Sequence, residues 1–253
     1  MTVRLGGMAL ANGVLVHGPN AWACAIRGDD GELKVVARRK RLRAASVTNP
    51  LLRGPARLAE AFALLPQVKR ALPEAELPMQ RPQVLASIVG SAVALRLTKQ
   101  SSLRPAAREL LTSFLSLAPA AFALRGGELA AYHGAEHMSI GAYEHGEARP
   151  KEHERCGSHL VGPMLVTTAA GNLLAERAPE RYRGAARAAA ALGAVAASVE
   201  TFGWMARNPR HPLARALAKP GHELQHRVGT REPTPAQLEV AEAALEACLE
   251  LER

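Results

Sequence analysis

Residues 132–145 read Tyr-His-Gly-Ala-Glu-His-Met-Ser-Ile-Gly-Ala-Tyr-Glu-His. Glu136 and His137 follow His133 by three and four residues. On an α-helix, positions with these spacings lie on one face. The same stripe continues to Glu144. The spacing therefore predicts a helix whose one face carries two imidazoles and two carboxylates.

Composition extends the helical prediction to most of the chain. The 253 residues are 48% hydrophobic but only 4% aromatic. Long stretches rich in Ala, Leu and Arg favour closely packed helices over a β-sandwich, which needs β-branched and aromatic residues. Pro66 is expected to kink or end the first helix, and Thr234 with Gln237 forms a capping-box pattern. Helices are predicted at 55–71, 83–97, 104–124, 127–145, 158–176, 181–206 and from Thr234 onward.

A small antiparallel β element is predicted at the N-terminus. Residues 22–27 and 32–37 flank Gly28-Asp29-Asp30-Gly31, a favourable hairpin turn, and a short strand near 14–16 would join them. The expected fold is mainly α, a helical bundle carrying this β element. We expect the β element to occupy 1–45 and a helical domain to occupy 46–253, with a Pro-rich connector at 73–82.

Charge and cysteine usage restrict the cellular setting. The net charge of +9 would attract polyanions such as nucleic acid, an anionic membrane surface or acidic substrates. Basic residues are scattered apart from a run at 38–43, and no aromatic-interleaved basic stripe supports single-strand binding. Three distant cysteines and a start without an apolar signal region predict a cytoplasmic, reducing location. The apolar runs are short or interrupted by charges, which favours buried core helices, with membrane association as the alternative.

The histidine pair predicts a metal site, with zinc as the expected ion. Two imidazoles one helical turn apart can bind a single cation, but a zinc site normally needs three protein ligands. Candidates for the third ligand are His153 and Cys156, on the loop that follows the helix, and Glu200, an acid within an Ala-rich helix. A thiolate suits zinc. A metal ion, an arginine or a water network could equally satisfy Glu200.

Carboxylates beside the histidines suggest catalytic roles. Glu136 would polarise a water molecule bound to the metal. Glu144 and Tyr143 would hold a metal-binding imidazole in place without binding the metal themselves. The ordinary alternative is that each histidine is a surface or hydrogen-bonded core residue, and that Cys156 is a small buried apolar side chain.

A second histidine pair competes with the first. His222-Glu223-Leu224-Gln225-His226 has the zincin order of two histidines and a glutamate. We rank this pair lower because supporting ligands are lacking nearby in the sequence.

Several separated blocks resemble the YqhQ-like proteins, a bacterial family of unknown function. The most specific block is Tyr132-His133-Gly134-Ala135-Glu136-His137, followed by Ala142-Tyr143-Glu144 and by His153-Glu154-Arg155-Cys156-Gly157. Other similar blocks are Gly6-Gly7-Met8-Ala9, Asn12-Gly13-Val14, Gly18-Pro19, Pro50-Leu51-Leu52-Arg53-Gly54, Pro220-Gly221, Leu224-Gln225, Thr230-Arg231-Glu232-Pro233 and Leu238-Glu239-Val240-Ala241. The resemblance implies membrane helices around the histidine block and favours the first histidine pair over the second. It supplies no reaction.

Two principal functions follow from these patterns. The first is a zinc-dependent hydrolase, peptidase-like, acting on a small-molecule or peptide substrate through Glu136. The alternative is a non-catalytic, metal-stabilised protein that docks on an anionic partner, either a membrane surface or RNA. A membrane-embedded enzyme or transporter is the third reading. The patterns indicate no oligomeric state.

Overall fold

The computed structural model describes residues 3–41, 44–104 and 127–253, together with isolated positions between 107 and 122. Helices dominate these residues, and a four-stranded antiparallel sheet lies at the N-terminus. The predicted fold class, mainly α with a small β element, is therefore confirmed. The helix predicted at 104–124 falls largely outside the described residues.

The chain forms two compact units. The first contains residues 1–41, 65–153 and 226–253, and the second contains residues 42–64 and 154–225. The division places the sheet and the histidine helix together in the first unit.

The sheet has strand order β1-β2-β3-β4, and each strand is antiparallel to its neighbours. The strands are β1 (Gly6–Ala9), β2 (Gly13–His17), β3 (Ala21–Arg27) and β4 (Leu33–Arg39). Gly31 has a φ of 78°, which explains the glycine at the end of the predicted hairpin turn. Strand β1 was not predicted, because Gly-Gly-Met-Ala has low β propensity and forms a strand only by pairing with β2.

Seven helices and several short helical turns make up the rest of the described chain. They are α1 (Pro50–Ala71), α2 (Pro82–Gln100), α3 (Glu128–His145), α4 (Val161–Glu176), α5 (Arg183–Arg207), α6 (Pro212–Leu224) and α7 (Pro235–Glu252). Single 3₁₀ turns lie at Ala44–Ser46, Pro78–Gln80, Gly157–Leu160 and Glu180–Tyr182. A π-helical segment, Gln225–Gly229, follows α6.

Two differences from the predicted helices have a clear cause. Helix α1 continues through Pro66 to Ala71, because Leu65 and Val68 on either side of the proline are buried and keep the helix packed. Helix α6 was missed because its prolines were interpreted only as breaks. Pro212 instead occupies the first turn, where a proline suits a helix start.

Helix α7 begins as the sequence predicts. The Gln237 backbone N–H donates to Thr234 Oγ1 at 3.3 Å, and the Thr234 N–H donates to Gln237 Oε1 at 2.9 Å. This reciprocal pair is a capping box. The cap starts a helix whose buried residues, Val240, Ala241, Ala244, Leu245 and Cys248, join the core of the first unit.

That core lies between one face of the sheet and helices α3 and α7. Alternate residues of the inner strands, such as Val14 and Ala25, face Leu129 and Tyr132 of α3 and Leu245 of α7. One side of α3 is thereby committed to this core.

The second unit is built around α4 and α5, which contact each other through small and hydroxyl-bearing residues. Thr167 and Ser198 hydroxyls lie 2.8 Å apart, and the Thr167 hydroxyl also donates to the Ala194 carbonyl at 3.2 Å. Larger apolar side chains on these helices are exposed, namely Leu165, Val166, Leu173, Leu174 and Leu192.

Helix length and composition bear on membrane association, the alternative to buried core helices. Within the described ranges, one helical stretch, Glu180–Arg207, is long and apolar enough to cross a membrane, and only 22% of its apolar window is buried.

His17 makes the stability of the first unit pH-dependent. Burial, followed by the positive charge of Lys40, lowers the pKa of His17 to about 4, although a hydrogen bond with the Gly18 backbone opposes the shift. Lys40 Nζ lies 3.0 Å from His17 Nδ1, so the ammonium group donates to a neutral imidazole. The unfolded imidazole titrates near pH 6.5, so protons stabilise the unfolded chain over the folded one.

We expect the free energy of unfolding to fall by about 2 kcal/mol more between pH 7 and pH 5 in the native chain than in His17→Gln. Glutamine keeps an acceptor for Lys40 but does not titrate. Urea unfolding at both pH values measures the difference. Parallel pH profiles for the two proteins would contradict the prediction.

Candidate metal centre

Helix α3 places both predicted imidazole ligands at the border of its core face. Tyr132 and Ala135 pack in the core of the first unit, whereas His133 and His137 face the loop after α3 and the segment before α7. His137 is only 2% exposed. An imidazole buried to that extent requires polar partners.

Backbone carbonyls supply those partners. His133 Nδ1 lies 2.7 Å from the Gly229 carbonyl oxygen, and His137 Nδ1 lies 2.6 Å from the Lys151 carbonyl oxygen. A carbonyl oxygen only accepts, so each Nδ1 must carry the hydrogen. In the neutral rings the lone pair is then on Nε2, the arrangement found in many metal-ligating histidines.

The two rings lie close together. Their centroids are 4.2 Å apart with an interplanar angle of 57°. Ring nitrogens of His133 and His137 approach within 4.8 Å of each other. The pair is therefore a candidate for binding one shared cation.

A glycine on α3 lets the supporting backbone approach the helix. The Arg231 N–H donates to the Ala130 carbonyl at 2.9 Å, and a side chain at Gly134 would overlap the Arg231 carbonyl oxygen. Because position 134 has no side chain, the segment that carries the Gly229 carbonyl can lie directly against α3.

Glu136 is buried between the helix and strand β1. Its side chain occupies the space that a side chain at Gly7 would fill. Burial raises the pKa of Glu136 above its usual value, and the His133 and His153 imidazoles oppose that rise. A buried carboxyl group beside two imidazoles is a suitable place for a proton to be taken up and released.

The remaining predicted residues of the first unit have separate roles. The structure brings Glu144 to His153, with Glu144 Oε2 and His153 Nε2 3.3 Å apart, and the His153 ring centroid lies 5.5 Å from that of His137. The Tyr143 hydroxyl instead accepts a hydrogen bond from the Val3 N–H at 3.0 Å. Tyr143 therefore contacts the N-terminal segment.

Cys156 and Glu200 belong to the second unit. Cys156 comes three residues after His153 and precedes the Gly157–Leu160 turn, where its Sγ accepts from the Ser158 N–H at 3.5 Å. The Glu200 carboxylate forms a bidentate pair with the Arg53 guanidinium group. Of the partners considered for Glu200, an arginine is the one observed.

The rival histidine pair spans a change of helix type. His222 lies in α6 and His226 in the π-helical segment, so four-residue spacing no longer places the two on one α-helical face. His226 Nδ1 lies 2.9 Å from Glu152 Oε1, and Lys151 Nζ donates to the same oxygen. Burial raises the pKa of Glu152, but these hydrogen bonds outweigh it and lower the value to about 2.

Sequence reasoning missed the groups that orient the imidazoles. The carbonyls of Lys151 and Gly229 have no signal in residue type, because every residue carries a carbonyl. Glu152 and His226 are evident in the sequence, but nothing in their spacing indicates that their side chains are in contact.

Comparison with known proteins gives a family and no activity. Neither the curated proteins nor the solved structures include a match to this chain. A family model described as a protein of unknown function, DUF1385, matches residues 127–251, which include α3, the loop after it and α7. The match is consistent with the resemblance noted in the sequence. The matched part, residues 127–251, is thus similar to this uncharacterised family.

Proposed function

We propose that α3 carries a divalent metal centre with His133 and His137 as ligands and zinc as the ion. The supporting observation is that a backbone carbonyl holds Nδ1 of each ring, so that both Nε2 atoms present lone pairs. Cys156 is the third ligand that we propose, on the basis of sequence alone. Nitrogen and thiolate donors together favour zinc over magnesium or calcium.

Metal titration tests this proposal. We expect the chelator-treated full chain to bind one zinc ion, and His133→Ala or His137→Ala to weaken binding by more than about 100-fold. Even the loss of a group that only hydrogen-bonds to a metal ligand costs about 10- to 100-fold. Competition with a chromogenic chelator measures the affinity. His145→Ala is the matched control, because His145 lies on the same helix and bonds the Gly141 carbonyl.

Cobalt substitution tests the proposed thiolate. A thiolate–cobalt charge-transfer band should appear in the native chain and disappear in Cys156→Ser. Its absence from the native chain would remove Cys156 from the ligand set. Absence of stoichiometric metal binding by the native chain would contradict the whole centre.

We propose hydrolysis as the reaction, with Glu136 as the general base. A zinc ion would act as a Lewis acid and lower the pKa of a bound water to about 7. The protein's own contribution is the Glu136 carboxyl group, buried and within electrostatic range of His133 and His153. Ester or amide bonds of a small molecule or peptide are the substrate class that this chemistry suits.

Glu136→Gln separates catalysis from metal binding. We expect this variant to retain zinc and to lose about 10²- to 10⁴-fold in turnover, the usual contribution of a general base. A panel of chromogenic esters and peptide amides measures turnover, and Glu147→Gln, an exposed change just after α3, is the control. Equal turnover in Glu136→Gln and the native chain would exclude Glu136 as the base. A zinc-loaded protein inactive on the whole panel would contradict the hydrolase.

A second candidate function, docking on an anionic membrane surface, has support in the second unit. Helices α4 and α5 contact each other through small residues: a side chain at Gly171 would lie 3.2 Å from Ala190 Cβ. Their larger apolar residues are exposed. Small contact residues with serine and threonine hydrogen bonds are typical of helix pairs in lipid. The net charge of +9 favours anionic headgroups.

Vesicle flotation tests membrane docking. We expect the full chain to float with vesicles containing anionic phosphatidylglycerol, and Leu173→Glu/Leu174→Glu to reduce the bound fraction by at least about tenfold through lost apolar burial. Val35→Glu makes the same type of change at an exposed strand position and should have no effect. A carbonate wash then separates peripheral from integral binding. Salt-sensitive binding to RNA without any vesicle binding would contradict this function.

A further inference from the structure

Two backbone segments converge on the histidines of the first unit. One is the loop after α3, which contains Lys151 and Glu152, and the other is the π-helical segment Gln225–Gly229 from His226 onward. Each contributes one carbonyl to one ring: Lys151 to His137 at 2.6 Å and Gly229 to His133 at 2.7 Å. The orientation of the pair depends on how these segments are held.

The same two segments are joined by a hydrogen-bonding contact between Glu152 and His226. Glu152 Oε1 lies 2.9 Å from His226 Nδ1 and accepts from Lys151 Nζ as well. Glu152 is the immediate neighbour of Lys151, and His226 precedes Gly229 by three residues. Glu152 and His226 are therefore close in sequence to the two residues whose carbonyls contact the rings. Neither Glu152 nor His226 is itself one of those two rings.

The Glu152 carboxylate is largely buried, whereas the His226 ring that contacts it is exposed. The Glu152 and Lys151 side chains are 17% and 15% exposed, whereas His226 is 63% exposed. A carboxylate that is largely withdrawn from water forms stronger charge-assisted hydrogen bonds than an exposed one. Glu152 is thus the buried member of the pair, and His226 contacts it from the solvent-exposed side.

We propose that Glu152 and His226 are positioning residues that hold the Lys151 and Gly229 carbonyls against His137 and His133. By this means the pair maintains the Nδ1–H tautomer of both rings and raises the metal affinity of the centre without touching the metal. The affinity part rests on the proposed function, whereas the tautomer part does not. Glu152→Ala and His226→Ala should each loosen both carbonyl contacts.

The first test measures the rings without metal. Long-range ¹H–¹⁵N NMR of the chelator-treated native chain should show His133 and His137 as single Nδ1–H tautomers. In Glu152→Ala we expect mixed tautomers at one or both rings, with a thermal midpoint close to that of the native chain. Glu152→Gln keeps an acceptor for His226 and should restore the native spectrum at least in part. Unchanged tautomers in Glu152→Ala would overturn the proposal.

The second test measures zinc affinity. Glu152→Ala and His226→Ala should each weaken binding by about 10- to 100-fold, the usual effect of an outer-shell partner. The double variant should be no weaker than the worse single variant, because both changes break one contact. Glu147→Ala, which breaks an exposed ion pair with Arg149 in the same loop, is the matched control. Additive losses in the double variant would exclude a shared role.

The two readouts separate the two proposals. If the native chain binds no metal but Glu152→Ala mixes the tautomers, the metal centre is wrong and the positioning role is supported. If the native chain binds zinc and Glu152→Ala changes neither tautomer nor affinity, the metal centre is supported and the positioning role is wrong.

Discussion

Helix α3 is packed on two sides although it carries buried ionisable groups. One face contributes Leu129, Tyr132 and Ala135 to the core, while Glu136 and His137 are themselves almost fully buried. Burying such groups without hydrogen-bond partners would cost several kcal/mol each. The loop after α3 and the segment before α7 must therefore bring their carbonyls to the helix. The arrangement of the first unit around α3 depends on this requirement.

The same requirement has a chemical consequence. A buried neutral histidine whose Nδ1–H donates to a backbone carbonyl must carry its lone pair on Nε2. The hydrogen bond that stabilises the buried ring therefore also makes Nε2 the atom that can bind a metal. Two such rings one turn apart form an unusual interior surface for a helix. The family whose model matches residues 127–251 has no assigned activity. For this reason the function must be argued from side-chain chemistry and not from the fold.

Large apolar side chains are exposed on helices outside the sheet-based core. In the first unit, side chains of the sheet such as Trp22 and Leu15 are fully buried, but helix α2 exposes Leu85, Val89 and Leu97. In the second unit, α4 and α5 contact each other through glycine, alanine, serine and threonine, and leucines such as Leu173 face outward. In water, an outward row of leucines leaves apolar surface hydrated, whereas lipid or a partner would remove that cost.

Local patterns in the sequence were sufficient for several elements. Three- and four-residue spacing predicted α3 and its histidine face, Thr234 with Gln237 predicted the start of α7, and Gly28 to Gly31 predicted the turn between β3 and β4. Each depends on residues close together in the chain. Strand β1 was not predictable in this way, because strand pairing overrides weak local preferences.

The sequence by itself determined which side chains could act as ligands and that two of them share a helical face. Only the tertiary structure decided which atom of each ring is presented, because that depends on the carbonyls of Lys151 and Gly229, 14 and 96 residues away from their histidines. Every residue has the same backbone carbonyl group, so the residue type does not indicate which carbonyl will accept a hydrogen bond from a histidine ring. The fold alone selects it, by bringing distant backbone into contact with α3.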